Sequence, residues 1–274
     1  MNSTIDLDAY LRRIGWNGAL RPDLATLRSL AGAHAAAIPF ENLSPLLGEP
    51  VPLDLPSLED KLVRRGRGGY CFEHNQLFAE VLRAIGFTVS GLAARVLWNR
   101  PPDAVTARSH MLLRVELPDV PAVPHLVDVG FGGLTLTGAL RLEPDVEQAT
   151  PHEPFRLLQH DGDWRMQARL RGQWQTLYRF DLQRQHAVDY EVANHFVSTH
   201  PQSQFVHRLM CARSAPLQRL ALLDRELTVH PRQGESERRT LSTMEELCAV
   251  LERDFLVTLP PGDALLRRLR SLFD

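Results

Sequence analysis

Cysteine is scarce in this chain. Three cysteines among 274 residues, an odd number and widely spaced, exclude a disulfide framework. Cys71 and His74 have the spacing of a metal half-site, but no second Cys/His pair with zinc spacing accompanies them, so no metal is expected. No apolar stretch approaches the ~18–20 residues that span a bilayer. The start, Met1-Asn2-Ser3-Thr4-Ile5-Asp6, lacks the basic and apolar regions of a signal peptide. A cytoplasmic protein without membrane attachment is expected, in a reducing compartment where a thiol stays free. Nor is there an excess of one charge. The 31 Lys and Arg against 33 Asp and Glu give a net −2 with both signs interspersed, and nucleic acid is not expected as a partner.

What remains is an ordinary globular composition, 44% hydrophobic and 23% charged, at a length near which one core divides into sub-domains. The first third has helical periodicity. Leu7, Tyr10, Leu11 and Ile14 form one stripe, and Leu24, Leu27, Leu30 and Ala31 a second. Ser57 with Asp60 three residues on predicts a helix start, and a further helix is predicted from Cys71 to its stop at Gly86. From Phe87 the pattern turns to strands: 89–98, 111–117, 126–129, 155–159, 164–169 and 173–180. Asp161-Gly162-Asp163 is a hairpin signal, and the succession suggests an antiparallel barrel or a strongly curved sheet. The last third is mixed. A helix is expected near 190–198, strands at 205–211, 217–222 and 226–230, a charged turn at 235–239, and helices over 243–255 and up to 272. An α+β fold of three parts is therefore expected, divided as 1–86, 87–190 and 191–274.

One segment concentrates chemistry: Arg67-Gly68-Gly69-Tyr70-Cys71-Phe72-Glu73-His74-Asn75. The glycines permit close backbone approach, and Cys71 then opens a helix, whose positive end favours a thiolate over a thiol. Cys248 lies on an apolar helical stripe and Cys211 ends a predicted strand, so both are expected in the core. Downstream, His110 begins the strand Met111-Leu112-Leu113-Arg114-Val115, a rigid edge from which a side chain can project. Asp128 sits among Leu126, Val127 and Val129, where a carboxylate is costly unless paired. Cys71, His110 and Asp128 suggest a thiolate nucleophile, a base and the group that orients the base. Gly130, Gly132 and Gly133 lack the Lys-Ser/Thr of a phosphate loop. They read as a tight turn that would still admit a cofactor's pyrophosphate to backbone amides.

These segments, with Ile38-Pro39-Phe40-Glu41-Asn42-Leu43 and Asn194-His195-Phe196-Val197-Ser198-Thr199-His200-Pro201-Gln202-Ser203-Gln204-Phe205, resemble the bacterial arylamine N-acetyltransferases over nearly the whole chain. The resemblance implies a helical bundle, a β-barrel and an α/β lid around a Cys–His–Asp core like that of papain-type proteases and transglutaminases. It implies ping-pong transfer from acetyl-CoA, through an acetyl-cysteine, to the nitrogen of arylamines, arylhydrazines or N-hydroxyarylamines. By the same resemblance Tyr70 and Phe131 border the acceptor pocket, and Thr199 and Ser203 contact CoA. A monomer or homodimer is expected. Other acyl transfers on the same three residues (amide synthase, transglutaminase or peptidase) and a non-catalytic binder of aromatic amines or CoA remain the alternatives.

Overall fold

The computed structural model describes residues 4–274. The helical first third begins with α1 (Leu7–Arg13), capped by Asp6, whose carboxylate accepts the Ala9 amide. Next comes α2 (Leu24–Ala37), capped in the same way by Asp23 and closed just ahead of Pro39. The short elements β1 (Phe40–Glu41) and α3 (Leu43–Leu46) follow. The helix expected at Ser57 starts earlier, as α4 (Leu55–Leu58). Asp54 is the cap: it accepts the Ser57 amide, so the predicted cap residue is already inside the first turn. This helix runs on as a π-helical stretch over Glu59–Arg64. Then α5 (Cys71–Ile85) begins at the cysteine and ends on Gly86 at φ 109°, a left-handed cap.

The central strands are β2 (Thr88–Val96), β3 (His110–Leu117), β4 (Val120–Val127), β5 (Leu140–Arg141), β6 (Phe155–His160), β7 (Asp163–Leu170) and β8 (Gln173–Phe180). They form one sheet in the order β5-β4-β3-β2-β8-β7-β6, antiparallel throughout. Bridges from Pro144 and Gln148 to Leu157 and Phe155 tie the segment after β5 to β6, which curls the sheet nearly shut. Leu92, Leu112, Leu126, Phe155, Met166 and Phe180 fill its interior. The hairpin at Asp161-Gly162 has both residues at positive φ, 50° and 81°, the geometry that matches strand twist. Arg171-Gly172 repeats it between β7 and β8.

After the barrel come α6 (Ala187–Thr199), β9 (Met210–Ala215), β10 (Gln218–Leu223), β11 (Glu226–Pro231), β12 (Glu237–Thr240), α7 (Met244–Arg253) and α8 (Asp263–Arg270). The second sheet has the order β1-β9-β10-β11-β12, so β1 joins the helical first third to the C-terminal strands. Two expectations shift here. Of the strand expected over 205–211, the first part is a 3-10 turn, Gln204–Val206, capped by Ser203. The turn expected at 235–239 instead leads into β12, an edge strand exposed at every position and therefore without alternation.

The packing that matters for chemistry lies where α5 meets β3 and β4. Cys71, Phe72 and Phe78 share one buried cluster with Met111, Leu113, Val127 and Val129. Burial on that scale, at roughly 1.5–3 kcal/mol per large apolar side chain, fixes the start of α5 against the starting end of β3 and the finishing end of β4. Among the described residues no helix is long and apolar enough to cross a membrane.

Candidate active site

Cys71 occupies the first position of α5 and is 5% exposed. The first-turn amides of a helix have no partner within it, so they are available as donors at this end of α5. The glycine pair before it is required by space. A Cβ on Gly68 would lie 2.0 Å from the Pro39 carbonyl oxygen, and one on Gly69 would lie 2.5 Å from Glu73 Oε2. Glu73 uses that oxygen to accept the Tyr70 amide at 3.1 Å, and its other oxygen pairs with Lys61 Nζ at 2.7 Å, both groups buried. Beside them Arg67 Nε donates to Glu41 Oε1 at 2.8 Å. Two buried ion pairs thus brace the turn that delivers the cysteine.

His110 and Asp128 reach the same place from β3 and from the residue just past β4. The aspartate therefore lies beyond the strand it was expected to occupy, where the chain can turn its carboxylate inward. His110 Nε2 donates to Asp128 Oδ2 at 2.7 Å, with the two side chains 3% and 1% exposed. Asp128 Oδ1 accepts from Asn75 Nδ2 at 3.1 Å and from the Gly130 amide at 3.0 Å. The Tyr178 ring packs on His110, with the centroids 5.0 Å apart. Burial alone would raise the Asp128 carboxyl, but these partners, His110 foremost, hold it below its ordinary range. With Nε2 committed to Asp128, Nδ1 is the imidazole nitrogen left to face the sulfur. Burial opposes charge on His110, yet Asp128 and then the neighbouring Cys71 sulfur outweigh it, and the imidazole is pushed up to about 10. Cys71 Sγ also lies 3.7 Å from the Ser109 carbonyl oxygen. The other two cysteines contrast with it. Burial pushes the thiols of both Cys211 and Cys248 up, away from thiolate.

Phe131 is half-buried, with its ring edge-on to His110 at 5.2 Å and tilted against Tyr178 at 5.2 Å. Tyr70 is fully buried. It packs on Phe72 and Phe205, its hydroxyl bonds Asn194, and so it supports the site from behind. Gly130 is held by contact, since a Cβ there would lie 2.7 Å from Cys71 Cα. Gly132 has φ 81°, the left-handed region, and a Cβ on Gly133 would meet only Ala221 at 3.9 Å. Thr199 is exposed and donates to the His195 carbonyl; Ser203 is buried and donates to the Val197 carbonyl at 2.5 Å. Both hydroxyl protons are thus used within the fold. His74, the alternative metal ligand, points away from the sulfur. It accepts from His34 Nε2 at 2.8 Å and donates to the Pro39 and Gly69 carbonyls, and among the described residues there is no three-residue metal cluster.

Three groups beside the site had no local signal. Tyr178 arrives from β8, Tyr190 from α6 and Asn194 one turn later on that helix. Each is more than fifty residues from the cysteine. All three fall within expected elements, the strand 173–180 and the helix near 190–198, but no residue pattern there ties them to the cysteine.

Comparison with known proteins follows the same lines. The sequence model of an N-acetyltransferase family matches residues 23–264. An arylamine N-acetyltransferase of Mycolicibacterium smegmatis is 47% identical over 252 residues, 91% of each chain. One from Escherichia coli K12 is 43% identical, over 91% of this chain and 88% of its own. The solved structure of Mycobacterium marinum arylamine N-acetyltransferase in complex with CoA superimposes with a TM-score of 0.93 at 43% identity, covering 97% of this chain and 99% of that one. With a cysteine, histidine and aspartate assembled on a helix start and a nearly closed barrel, and with relatives that match from end to end, this chain belongs to the arylamine N-acetyltransferases.

Proposed function

We propose that Cys71 is the nucleophile of a two-step acetyl transfer from acetyl-CoA to the nitrogen of an aromatic amine, hydrazine or N-hydroxyarylamine. The observation that carries this is the buried His110–Asp128 pair at 2.7 Å beside a cysteine at a helix start. His110 Nδ1 is placed to take the Cys71 proton as the sulfur attacks. The thiolate attacks the thioester carbonyl carbon. Negative charge gathers on the carbonyl oxygen, and the first-turn amides of α5 stabilise it, a contribution worth about 3–4 kcal/mol where it has been measured. The carbon–sulfur bond to CoA breaks, and His110 Nδ1 gives its proton to the departing thiolate. Acetyl-Cys71 and a neutral His110 remain.

In the second step the amine nitrogen attacks the new thioester, and His110 Nδ1 takes the amine proton. The amide leaves, and Cys71 and His110 return to their starting state. Asp128 keeps Nε2 protonated throughout and so keeps Nδ1 aimed at the sulfur. Phe131 offers an aromatic wall beside His110 for the acceptor ring. The three-part division at residues 86 and 190 belongs to the same proposal. Cys71 comes from the first part and His110 and Asp128 from the second, so the site assembles only when the two pack together.

Steady-state kinetics with varied acetyl-CoA and varied arylamine test the two-step order. Parallel double-reciprocal lines are expected. Intersecting lines, with no turnover half-reaction in the absence of amine, would exclude the covalent intermediate.

A further inference from the structure

Away from the Cys71 cluster, the barrel carries an arrangement that is unfavourable as it stands. Arg95 on β2 lies directly opposite Arg179 on β8, and Arg179 lies directly opposite Arg165 on β7. Like charges in register across neighbouring strands destabilise a sheet. Arg108, from the segment leading into β3, joins them. Arg95, Arg108 and Arg179 line one pocket of about 230 Å³ together with Asp163 and Asp181. Arg108 pairs with Asp181, and Arg179 Nη1 is 3.7 Å from Asp163. Three cations against two carboxylates leave the pocket one net positive charge. Arg95 bonds the Thr106 carbonyl, and Arg179 Nε is buried with no hydrogen-bond partner among the described residues. An orphaned guanidinium N–H in a cationic pocket is a place for an anion, and arginine suits phosphate through its forked donors.

A second pocket, of about 390 Å³, adjoins the first and shares Ala93 and Arg108 with it. Ala107, Tyr190, Val192, Ala193 and Phe196 make most of its wall apolar, with Ser109, Gln185 and Asp189 as its other polar members. Ser109 is the residue whose carbonyl lies 3.7 Å from Cys71 Sγ, and the Tyr190 ring packs on Phe72, the neighbour of the cysteine. A largely apolar trough beside α6 thus runs from Ser109, whose carbonyl neighbours the sulfur, to a cluster of arginines.

We propose that this arginine pocket binds a phosphoryl group of the acyl donor, whose uncharged arm lies along the trough toward Cys71. The inference rests on the reading that the donor is acetyl-CoA, which carries a pyrophosphate and a 3′-phosphate on the far end of such an arm. The pocket is distinct from the glycine turn at 130–133 and from Thr199 and Ser203.

Calorimetric titration of the intact protein with CoA tests it directly. Arg179→Gln and, from the neighbouring strand, Arg95→Gln are each expected to weaken CoA binding at least tenfold, and the wild-type affinity is expected to fall as salt is added. Dephospho-CoA sorts the groups: an Arg179→Gln loss seen only with CoA assigns the 3′-phosphate, and one shared by both ligands assigns the pyrophosphate. Both variants remove like-charge repulsion, so in phosphate-free, low-salt buffer their Tm is expected to equal or exceed that of the wild type. In the same variants, the ratio of Cys71 acylation by acetyl-CoA to acylation by 4-nitrophenyl acetate, which carries no phosphate, is expected to fall tenfold or more. CoA affinity within twofold of wild type in both variants overturns the proposal. So does a pocket that takes inorganic phosphate, read as a Tm rise lost in Arg179→Gln, without any change in CoA affinity. Wild-type protein that binds CoA yet is never acylated by acetyl-CoA would overturn the two-step reading instead, while the titration would still decide the pocket.

Discussion

Replacing Asp128 by Asn isolates the role of the carboxylate. The asparagine oxygen can keep the bonds from Asn75 Nδ2 and the Gly130 amide, at 3.1 and 3.0 Å in the parent. Its NH₂ group then faces His110 Nε2–H, donor against donor, at a site where the parent contact is 2.7 Å. The imidazole relieves this by taking the other tautomer, which puts a proton on Nδ1 and aims it at the sulfur. Nδ1 can then accept a proton neither from the Cys71 thiol before acylation nor from the amine after it. The net lift in the parent sets the scale of the electrostatic loss. His110 is raised from 6.5 to about 10 by Asp128 and the sulfur together, against burial. At 1.36 kcal/mol per pKa unit that lift is worth about 5 kcal/mol, and the larger share comes from Asp128. Acylation is therefore expected to slow by about 10³-fold, each 1.36 kcal/mol being tenfold in rate. Stopped-flow release of free CoA from acetyl-CoA reads that step. Alkylation of Cys71 by iodoacetamide at neutral pH gives a second reading: the variant is expected to react more slowly than the parent. A folded Asp128→Asn protein within threefold of parental acylation would refute the orienting role of Asp128 and the tautomer argument with it.

Other outcomes follow from the surrounding structure. Gly130→Ala puts a methyl 2.7 Å from Cys71 Cα, so a stability loss of about 1–3 kcal/mol in denaturant titration and a drop in kcat are expected. Lys61→Met leaves Glu73 buried without its cation; burial already raises that carboxyl, and a loss of about 3–5 kcal/mol by the same measurement is expected. His34 and His74 are both held neutral by burial, His74 down to about 4, so each takes up a proton more readily when unfolded. The stability that depends on their neutrality is present above about pH 6.5 and is lost as pH falls toward 4. His34→Gln is expected to flatten that acid slope in thermal melts, and an unchanged slope would contradict it.

Much of the site could be read along the chain because its parts sit at element boundaries. Cys71 follows a glycine pair and opens a helix, and His110 opens a strand; both boundaries fall where the pattern places them. Asp128 stood out as a carboxylate amid Leu126, Val127 and Val129, although the strand closes at Val127 and the aspartate turns inward only beyond it. Tyr178 was not legible. Its ring reaches His110 because β8 pairs with β2 in one register, with Tyr178 opposite Val96, and register between distant strands leaves no local trace. The braces around the nucleophile were hidden for a similar reason. Lys61 and Glu73 look like surface charges until the π-helical stretch and α5 close over them. Exposed β12 shows the converse: with no buried face there is no period to find.

The most direct measurement is mass analysis of the protein after incubation with acetyl-CoA and no amine, followed by peptide mapping. One acetyl group on Cys71, with one equivalent of free CoA released and both abolished by Cys71→Ser, is the expected result. An unmodified Cys71, or an acetyl group retained in Cys71→Ser, would contradict a covalent transfer through this sulfur.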